Sequence, residues 1–162
     1  MSRVARTIAV IGQGVPDEGP AADAAEACGR LVAGAGATLV TGGLRGVMAA
    51  ASRGARGAGG RVVAILPGTD RSAATRDADV VVCTGVGEAR DLAVVASADA
   101  VIAVGGGWGT LAEIGLARKL GRPVVLLGSW RPVPPEGQEG LEACLEAASA
   151  EQAVALALEA AP

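Results

Sequence analysis

The chain of 162 residues contains no histidine, no phenylalanine and no tyrosine. Histidine is the usual general base beside a catalytic serine or cysteine, and it is the commonest nitrogen ligand of protein-bound metals. Its absence therefore excludes hydrolases of the Ser-His-Asp and Cys-His types and argues against a metal centre. Acid–base chemistry in this chain has to use carboxylates, water or groups of the substrate.

Positive charge and aromatic rings are also scarce. The formal net charge is −3, and Trp108 and Trp130 are the only aromatic residues. Nucleic-acid-binding surfaces combine a basic stripe with stacking aromatic side chains, so we predict no nucleic-acid partner. The only lysine is Lys119, which stands between Arg118 and Leu120. This context fits neither a Walker A loop nor a lysine that forms a Schiff base.

Cysteine pairs and long apolar runs are missing as well. Cys28, Cys83 and Cys144 show no C-x-x-C spacing, so we predict neither a disulfide framework nor a zinc site, and we expect no resident metal or cofactor. No apolar run approaches the roughly 18 residues of a membrane span. The N-terminal run "RTIAVIG" stops at Gly12, which is typical of a first strand and not of a signal peptide. We expect a cytoplasmic protein with no membrane partner.

Short β-branched runs alternate with segments of helical spacing. The runs predict strands over 7–12, 38–43, 61–68, 79–85, 100–107 and 123–129. The segments between them predict helices over 20–35, 46–58, 88–98 and 108–121. This alternation is typical of right-handed βαβ units. We therefore predict a single Rossmann-like domain over 1–162, with a doubly wound parallel sheet of six or seven strands and helices on both faces.

The C-terminal segment 137–161 is rich in alanine, leucine and glutamate. Its spacing predicts two short helices that are interrupted near Ser149. The Ser149 side chain, followed by Glu151 in the first turn, is suited to starting the second helix.

Glycines gather where the predicted strands end, which is where an open α/β sheet binds its ligands. Glycine lets backbone N–H groups turn towards an anion, and a helix N-terminus adds partial positive charge. We therefore predict a site for a phosphate-bearing small molecule. Tight packing at a turn is the alternative for the glycines after the first strand. The candidate binding residues are Gly12, Gly14, Gly42, Gly43, Gly46, Gly105, Gly106, Gly107, Trp108, Gly109 and Thr110.

The glycine patterns differ from the usual nucleotide signatures. "GQGVPDEG" is not G-x-G-x-x-G, and the second strand runs into "TGG" with no acidic residue at its end, so ordinary NAD binding is disfavoured. "GGGWGT" is a stronger signal, since it places several consecutive amides and the Thr110 hydroxyl at a helix start.

Two charged residues are candidates for chemistry. Glu113 lies one helical turn after Gly109, so its side chain is directed back towards the glycine loop. A carboxylate favoured by the helix dipole is the alternative explanation. Arg90 stands near a predicted helix start, where the dipole opposes a cation. This placement suggests either an ion pair with Glu88 or Asp91, or a contact with an anionic ligand.

At these residues the sequence resembles a known family. "GGGWGTLAE" is similar to the P-G-G-x-G-T-x-x-E motif of the "lonely guy" (LOG) family, phosphoribohydrolases often misannotated as lysine decarboxylases. "TGGLRGVMAAASRGARGAGGRVVAILPG" resembles that family's second-strand loop, helix and third strand. The similarity covers about residues 7–128. It is strongest to a branch with molybdenum-cofactor carrier proteins and relatives of Smf/DprA proteins.

The resemblance implies roles for individual residues. Gly106, Gly107, Gly109 and Thr110 would bind a 5′-phosphate, with Gly43 and Gly46 lining the site. Glu113 would match the motif's catalytic glutamate and Arg90 its arginine. Three departures stand out: Gly105 replaces the motif's proline, Asp91 replaces the lysine after the arginine, and a Met-His pair before Arg90 is missing.

Two functions follow from this resemblance. The first is hydrolysis of the N-glycosidic bond of a nucleoside 5′-monophosphate, in which Glu113 would stabilise an oxocarbenium-like transition state. The alternative is a non-catalytic carrier of a phosphorylated cofactor such as molybdopterin. Lysine decarboxylation is excluded by the lysine context, and an interaction-only role like that of the Smf/DprA relatives is disfavoured by the acidic charge.

The sequence also predicts self-association. The apolar segment 88–98, together with the family likeness, favours a homodimer or a larger homo-oligomer. Trp108, inside the glycine loop, is suited either to stacking on a ligand ring or to a subunit interface.

Overall fold

The alternating β-branched and alanine-rich segments form one parallel sheet with helices on both faces. The computed structural model describes residues 5–136 and 144–162. Their strands are β1 (Thr7–Gly12), β2 (Thr38–Thr41), β3 (Val62–Leu66), β4 (Val80–Cys83), β5 (Ala100–Val104), β6 (Val124–Leu127) and β7 (Cys144–Ala147). Every neighbouring pair is parallel, in the order β4-β3-β2-β1-β5-β6-β7. The predicted Rossmann-like fold is confirmed.

The helices divide between the two faces of the sheet. They are α1 (Pro20–Gly34), α2 (Val47–Gly57), α3 (Arg90–Ala96), α4 (Trp108–Lys119) and α5 (Ala150–Ala160), with 3-10 turns at Arg71–Ala73 and Gly87–Ala89. One buried cluster unites Ile8 and Val10 of β1 with α1, α2 and α5. The other unites Ala9 and Ile11 with α3 and α4. Successive side chains of β1 point to opposite faces of the sheet, so this one strand contributes residues to both cores.

The prediction of two C-terminal helices is wrong for the first of them, in the part from residue 144 onwards that the structure describes. Residues 144–147 form β7, which pairs with β6 from Val124 opposite Cys144 to Leu127 opposite Ala147. Pairing with β6 satisfies backbone groups that a helix would leave open at that edge. Side chains alternate accordingly, since Leu145 packs on the α5 side and the exposed Glu146 pairs with Arg131. The remaining predicted part, 137–143, lies outside the described residues.

The predicted start of the last helix is confirmed. Ser149 is the N-cap of α5, and its Oγ accepts a hydrogen bond from the Gln152 N–H at 3.2 Å. Gln152 Oε1 accepts in return from the Ala148 N–H at 2.8 Å. The two bonds form a variant of the capping box, in which Gln152 returns to the N–H of the residue before the N-cap instead of to the N-cap itself. Of the helices that the structure describes, none is long and apolar enough to cross a membrane.

The sheet order places the site. β1 lies between β2 and β5, so the chain leaves β1 towards one side of the sheet and later returns to its other side at β5. Loops after these strands diverge at such a switch point and leave a crevice at the carboxyl edge. The predicted glycine loops follow these three strands.

Candidate functional site

A cleft of about 440 Å³ opens at the carboxyl ends of β1, β2 and β5. It brings together both charged candidates and six of the predicted loop residues: Gly12, Gly14, Gly42, Arg90, Gly107, Gly109, Thr110 and Glu113. These residues come from four separate loops and helix starts, so the cleft exists only in the folded chain. The sequence prediction that they share one site agrees with this geometry, and their roles in binding remain a prediction.

Sequence analysis missed several residues that line the cleft: Ile11, Gln13, Leu44, Met48, Pro67, Glu88 and Asp91. For some of them the sequence contained an indication, because they stand next to residues that were predicted to belong to the site. Gln13 separates two candidate glycines, and Glu88 and Asp91 flank Arg90 closely. The sequence contained no such indication for Met48 and Pro67. They reach the cleft because α2 packs beside it and because β3 ends there.

The other predicted glycines lie outside the lining of this cleft. The Gly43 N–H donates to Thr41 Oγ1 at 3.0 Å, and Gly46 has a φ of +63° and is the N-cap of α2. A Cβ at Gly46 would overlap the backbone of Gln13. Gly43 and Gly46 therefore shape the loop after β2. Gly105 and Gly106 line a separate hollow, described below.

Asp17 joins the loops after β1 and β2, a role that the sequence did not reveal. Its Oδ1 accepts from the Gly46 N–H at 2.7 Å, and its Oδ2 accepts from Arg45 Nε at 3.1 Å. The hydrogen bond from the Arg45 side chain, followed by that from the Gly46 backbone, lowers the pKa of Asp17. The ionised carboxylate thus connects the loop after β1 to the loop after β2, and both loops line the cleft.

The start of α4 directs free backbone donors at the cleft. Gly107 is the N-cap and makes no side-chain capping hydrogen bond. The first intrahelical bond runs from the Leu111 N–H to the Gly107 carbonyl at 3.1 Å, so the amides of residues 108–110 have no acceptor within the helix. Thr110, only 2% exposed, adds its hydroxyl. Such a terminus is suited to an anion.

Glu113 is the buried acid of the cleft. Glu113 is 9% exposed. Burial raises the pKa of its carboxyl to about 8; repulsion from Asp91 adds to this shift, and attraction by Arg90 opposes it. A carboxyl with this pKa is ionised in about one molecule in ten at pH 7. Glu113 is therefore chiefly a neutral hydrogen-bonding group at neutral pH.

Arg90 is bound to the ends of two strands. Its Nη1 donates to the carbonyls of Gly42 at 2.5 Å and Ile65 at 2.7 Å. Its Nε lies 2.9 Å from Asp91 Oδ1 but lacks the alignment of a hydrogen bond. The predicted ion pair with Asp91 is thus present. The guanidinium also donates hydrogen bonds to strand-end carbonyls, which sequence analysis did not foresee. A Cβ at Gly42 would collide with this guanidinium and with Met48 Sδ.

Both tryptophans lie beside the glycine loop. Their ring centroids are 5.2 Å apart with the planes tilted by 37°. Trp130 Nε1 donates to the Gly107 carbonyl at 3.0 Å, so its ring is fixed to the loop. Trp108 is 79% exposed and lines neither the cleft nor the hollow beside it. Within residues 5–136 and 144–162, no cluster of three potential metal-ligating side chains occurs.

The chain is similar to a defined family and to solved structures. A profile of the SLOG cluster4 family matches residues 5–157. The structure of the molybdenum cofactor binding protein from the phototrophic bacterium Rippkaea orientalis is 33% identical in sequence, with 98% of each chain covered and a TM-score of 0.86.

Two further relatives cover nearly as much of the chain. The molybdenum cofactor carrier protein of Chlamydomonas reinhardtii is 35% identical, with 96% of this chain and 98% of that chain covered and a TM-score of 0.84. An uncharacterized protein of Archaeoglobus fulgidus is 44% identical over 140 residues, which is 86% of this chain and 90% of the relative. The likeness extends over 86% or more of this chain in each case and is not limited to the glycine motifs.

Proposed function

The chain belongs to the SLOG cluster4 family, and from this premise we propose that it binds a phosphate-bearing cofactor of the molybdopterin type and releases it unchanged. The observation that carries the proposal is the engagement of Arg90, one of the two charged residues that a hydrolase would use. Arg90 is engaged with strand-end carbonyls, and Glu113 is chiefly protonated at neutral pH. Similarity over 98% of the chain to a molybdenum cofactor binding protein supports the same function.

The electrostatics of the cleft suit binding better than hydrolysis. A phosphate monoester is largely dianionic at pH 7. The amides and dipole at the start of α4 favour such a group, and a neutral Glu113 does not repel it. Stabilisation of an oxocarbenium ion needs the same carboxyl in its ionised form, which is the minor form at pH 7.

The phosphoribohydrolase remains the second candidate. Glu113 and Arg90 line the same cleft as the loop residues Gly107, Gly109 and Thr110, which are part of the set that the family resemblance names. A hydrolase of this kind would gain activity as the pH rises through about 8, because ionisation of Glu113 would supply the active form.

Cofactor retention tests the proposal. The purified protein is mixed under anoxic conditions with molybdenum cofactor released from a molybdoenzyme, passed through a desalting column, and assayed for pterin by fluorescence after oxidation. We expect pterin to be retained, and we expect Thr110→Val to weaken retention about tenfold, because the buried hydroxyl at the start of α4 is lost. Thr38→Val, at the opposite end of the sheet, is the matched control and should retain the cofactor.

A parallel assay covers the second candidate. The same preparation is incubated with nucleoside 5′-monophosphates at pH 7 and pH 8.5, and free base is measured by chromatography. We expect no base release. Base release that disappears in Glu113→Gln would overturn the carrier proposal in favour of the hydrolase, and folded protein that retains no pterin would also contradict it.

We also propose that the protein self-associates. Helix α3 buries Val94 and Val95 but leaves Leu92 46% exposed, and edge strand β4 exposes Val80 and Val82. Covering such apolar surface is favourable. Light scattering should give at least twice the chain mass of 15.7 kDa, and Leu92→Glu should lower it if α3 is the contact. A mass of one chain for the unmodified protein would contradict the proposal.

A further inference from the structure

A hollow beside the glycine loop contains the only aromatic wall of the site. Its volume is about 240 Å³, and it is lined by Gly105, Gly106, Gly128, Ser129 and Trp130. We call it the tryptophan hollow. Three of its five residues have no side chain, so a flat group can approach the backbone closely.

The aromatic wall is held in a fixed position. The Trp130 indole donates to the Gly107 carbonyl at 3.0 Å, and the Trp108 ring rests against it with centroids 5.2 Å apart. Because Gly107 lines the main cleft while Gly105 and Gly106 line the tryptophan hollow, consecutive residues of one loop form walls of both. A ring wall is thus attached directly to the loop that we propose binds phosphate.

One residue of the hollow's lining has a buried polar atom without a partner. Ser129 Oγ is buried without a hydrogen bond among the described residues. Buried hydroxyls are nearly always hydrogen-bonded, and those that are not need an explanation. The edge of a nitrogen heterocycle offers both donors and acceptors, so it would satisfy this hydroxyl while its face packs on Trp130.

We propose that the tryptophan hollow binds a fused nitrogen heteroaromatic ring, with the ring face on Trp130 and the ring edge at Ser129 Oγ. The inference rests on the proposed function, since the ring is the pterin of the phosphate-bearing ligand. A purine base has the same chemistry and is the other source of such a ring. Trp108 supports Trp130 from the solvent side and acts as a positioning residue.

Tryptophan fluorescence measures ring binding in this protein directly. Trp108 and Trp130 are its only aromatic residues, so the intrinsic emission of the protein reports on this place alone. Titration with 6-hydroxymethylpterin, which carries the ring without phosphate, should quench the emission. Inorganic pyrophosphate, which has no ring, should not. Guanosine, which also carries its ring without phosphate, forms the purine arm, and binding tighter than that of the pterin would assign the hollow to a nucleobase.

Equilibrium dialysis with the pterin then compares variants independently of tryptophan emission. Ser129→Ala should weaken ring binding about two- to tenfold through loss of one hydrogen bond. Trp130→Leu should weaken it about 5- to 150-fold, the range measured for base stacking on aromatic side chains. Ser97→Ala, whose hydroxyl donates to the Ala93 carbonyl of α3, and Leu120→Ala, directly after the far end of α4, are the matched controls and should bind normally.

Failure of this inference is distinguishable from failure of the proposed function. Cofactor retention that is equal in the unmodified protein, Ser129→Ala and Trp130→Leu would overturn the ring site and leave the carrier function standing. Ring binding that depends on Ser129 and Trp130, without any cofactor retention, would support the ring site and overturn the carrier. Unchanged ring affinity in Trp108→Leu, with a reduced mass by light scattering, would overturn the positioning role of Trp108 and place its ring in a subunit interface, while the ring site on Trp130 would stand.

Discussion

At pH 8.5, replacing Glu113 with glutamine is expected to raise the free energy of unfolding by about 2–4 kcal/mol, whereas at pH 5 the gain should be below about 1 kcal/mol. Burial raises the pKa of this carboxyl from its ordinary value of 4.5 to about 8. Glutamine imitates the protonated form at every pH and therefore does not have to be ionised inside the cleft.

The direction of this pH dependence follows from proton binding. Between pH 4.5 and about 8 the folded chain holds a proton on Glu113 that the unfolded chain has released. Stability contributed by this group therefore falls as the pH rises through that window and levels off above it. Burial also raises the pKa of Asp91, so a second acid of the cleft acts in the same direction.

Urea denaturation followed by far-UV circular dichroism at the two pH values measures the effect. Glu88→Gln is the matched control, because Glu88 lines the same cleft but is exposed. It should change stability by less than about 0.5 kcal/mol. A gain in Glu113→Gln that is the same at pH 5 and pH 8.5 would show that the carboxyl is already ionised in the folded protein.

The same proton connects stability to ligand binding. Above pH 8 an ionised Glu113 would stand beside the anionic group that we propose binds at the start of α4, and Arg90 is already shared with Asp91 and two carbonyls. Repulsion between unit charges a few ångströms apart near a protein surface amounts to several kcal/mol before screening. A binding protein of this design retains its ligand best below pH 8.

Local patterns were sufficient to predict the architecture. The six runs of β-branched residues lie on β1 to β6, and the helical segments lie on α1 to α4 within a few residues. β7 escaped prediction because Cys144–Ala147 becomes a strand by pairing with β6, and its own sequence resembles the helix that follows. The apolar segment 88–98 is helical only over Arg90–Ala96 after a 3-10 turn, and its exposed Leu92 shows that it is less buried than its composition indicates.

The site was predictable where one segment supplies it. The order of Gly107, Gly109, Thr110 and Glu113 along a loop and helix fixes their common position at the cleft. Contacts between distant segments were not predictable from periodicity. Asp17 meets Gly46 across 29 positions, and Trp130 meets Gly107 across 23. These contacts depend on the order of strands in the sheet, which local patterns do not specify.

Arg90 shows the same dependence on distant contacts most clearly. A cation near a helix start is opposed by the dipole, and from sequence this suggested an ion pair or an anionic ligand. The structure adds a third purpose, because the guanidinium bonds the carbonyls of Gly42 and Ile65. Gly42 directly follows β2, and Ile65 lies near the carboxyl end of β3. Arg90 therefore connects α3 to the carboxyl edge of the sheet.

Arg90→Met is therefore expected to lower the free energy of unfolding by about 3–5 kcal/mol, as the loss of one partner of a buried charge pair does. The side chain is 11% exposed, and its removal leaves two carbonyls without their donor and Asp91 without its cation. Urea denaturation at pH 7 measures the loss. Arg90→Lys keeps the charge and one donor group, and it should recover part of the stability.

The matched control is Arg45→Met, because Arg45 also pairs with a carboxylate near the cleft but its side chain is 74% exposed. An exposed pair contributes little, so this variant should lose less than about 1 kcal/mol. If Arg90→Met were as stable as the control but failed to retain pterin, the guanidinium would be a ligand-binding group. A large loss of stability in Arg90→Met alone would instead show that the residue found beside the catalytic position of a hydrolase family acts here to hold the walls of the cleft together.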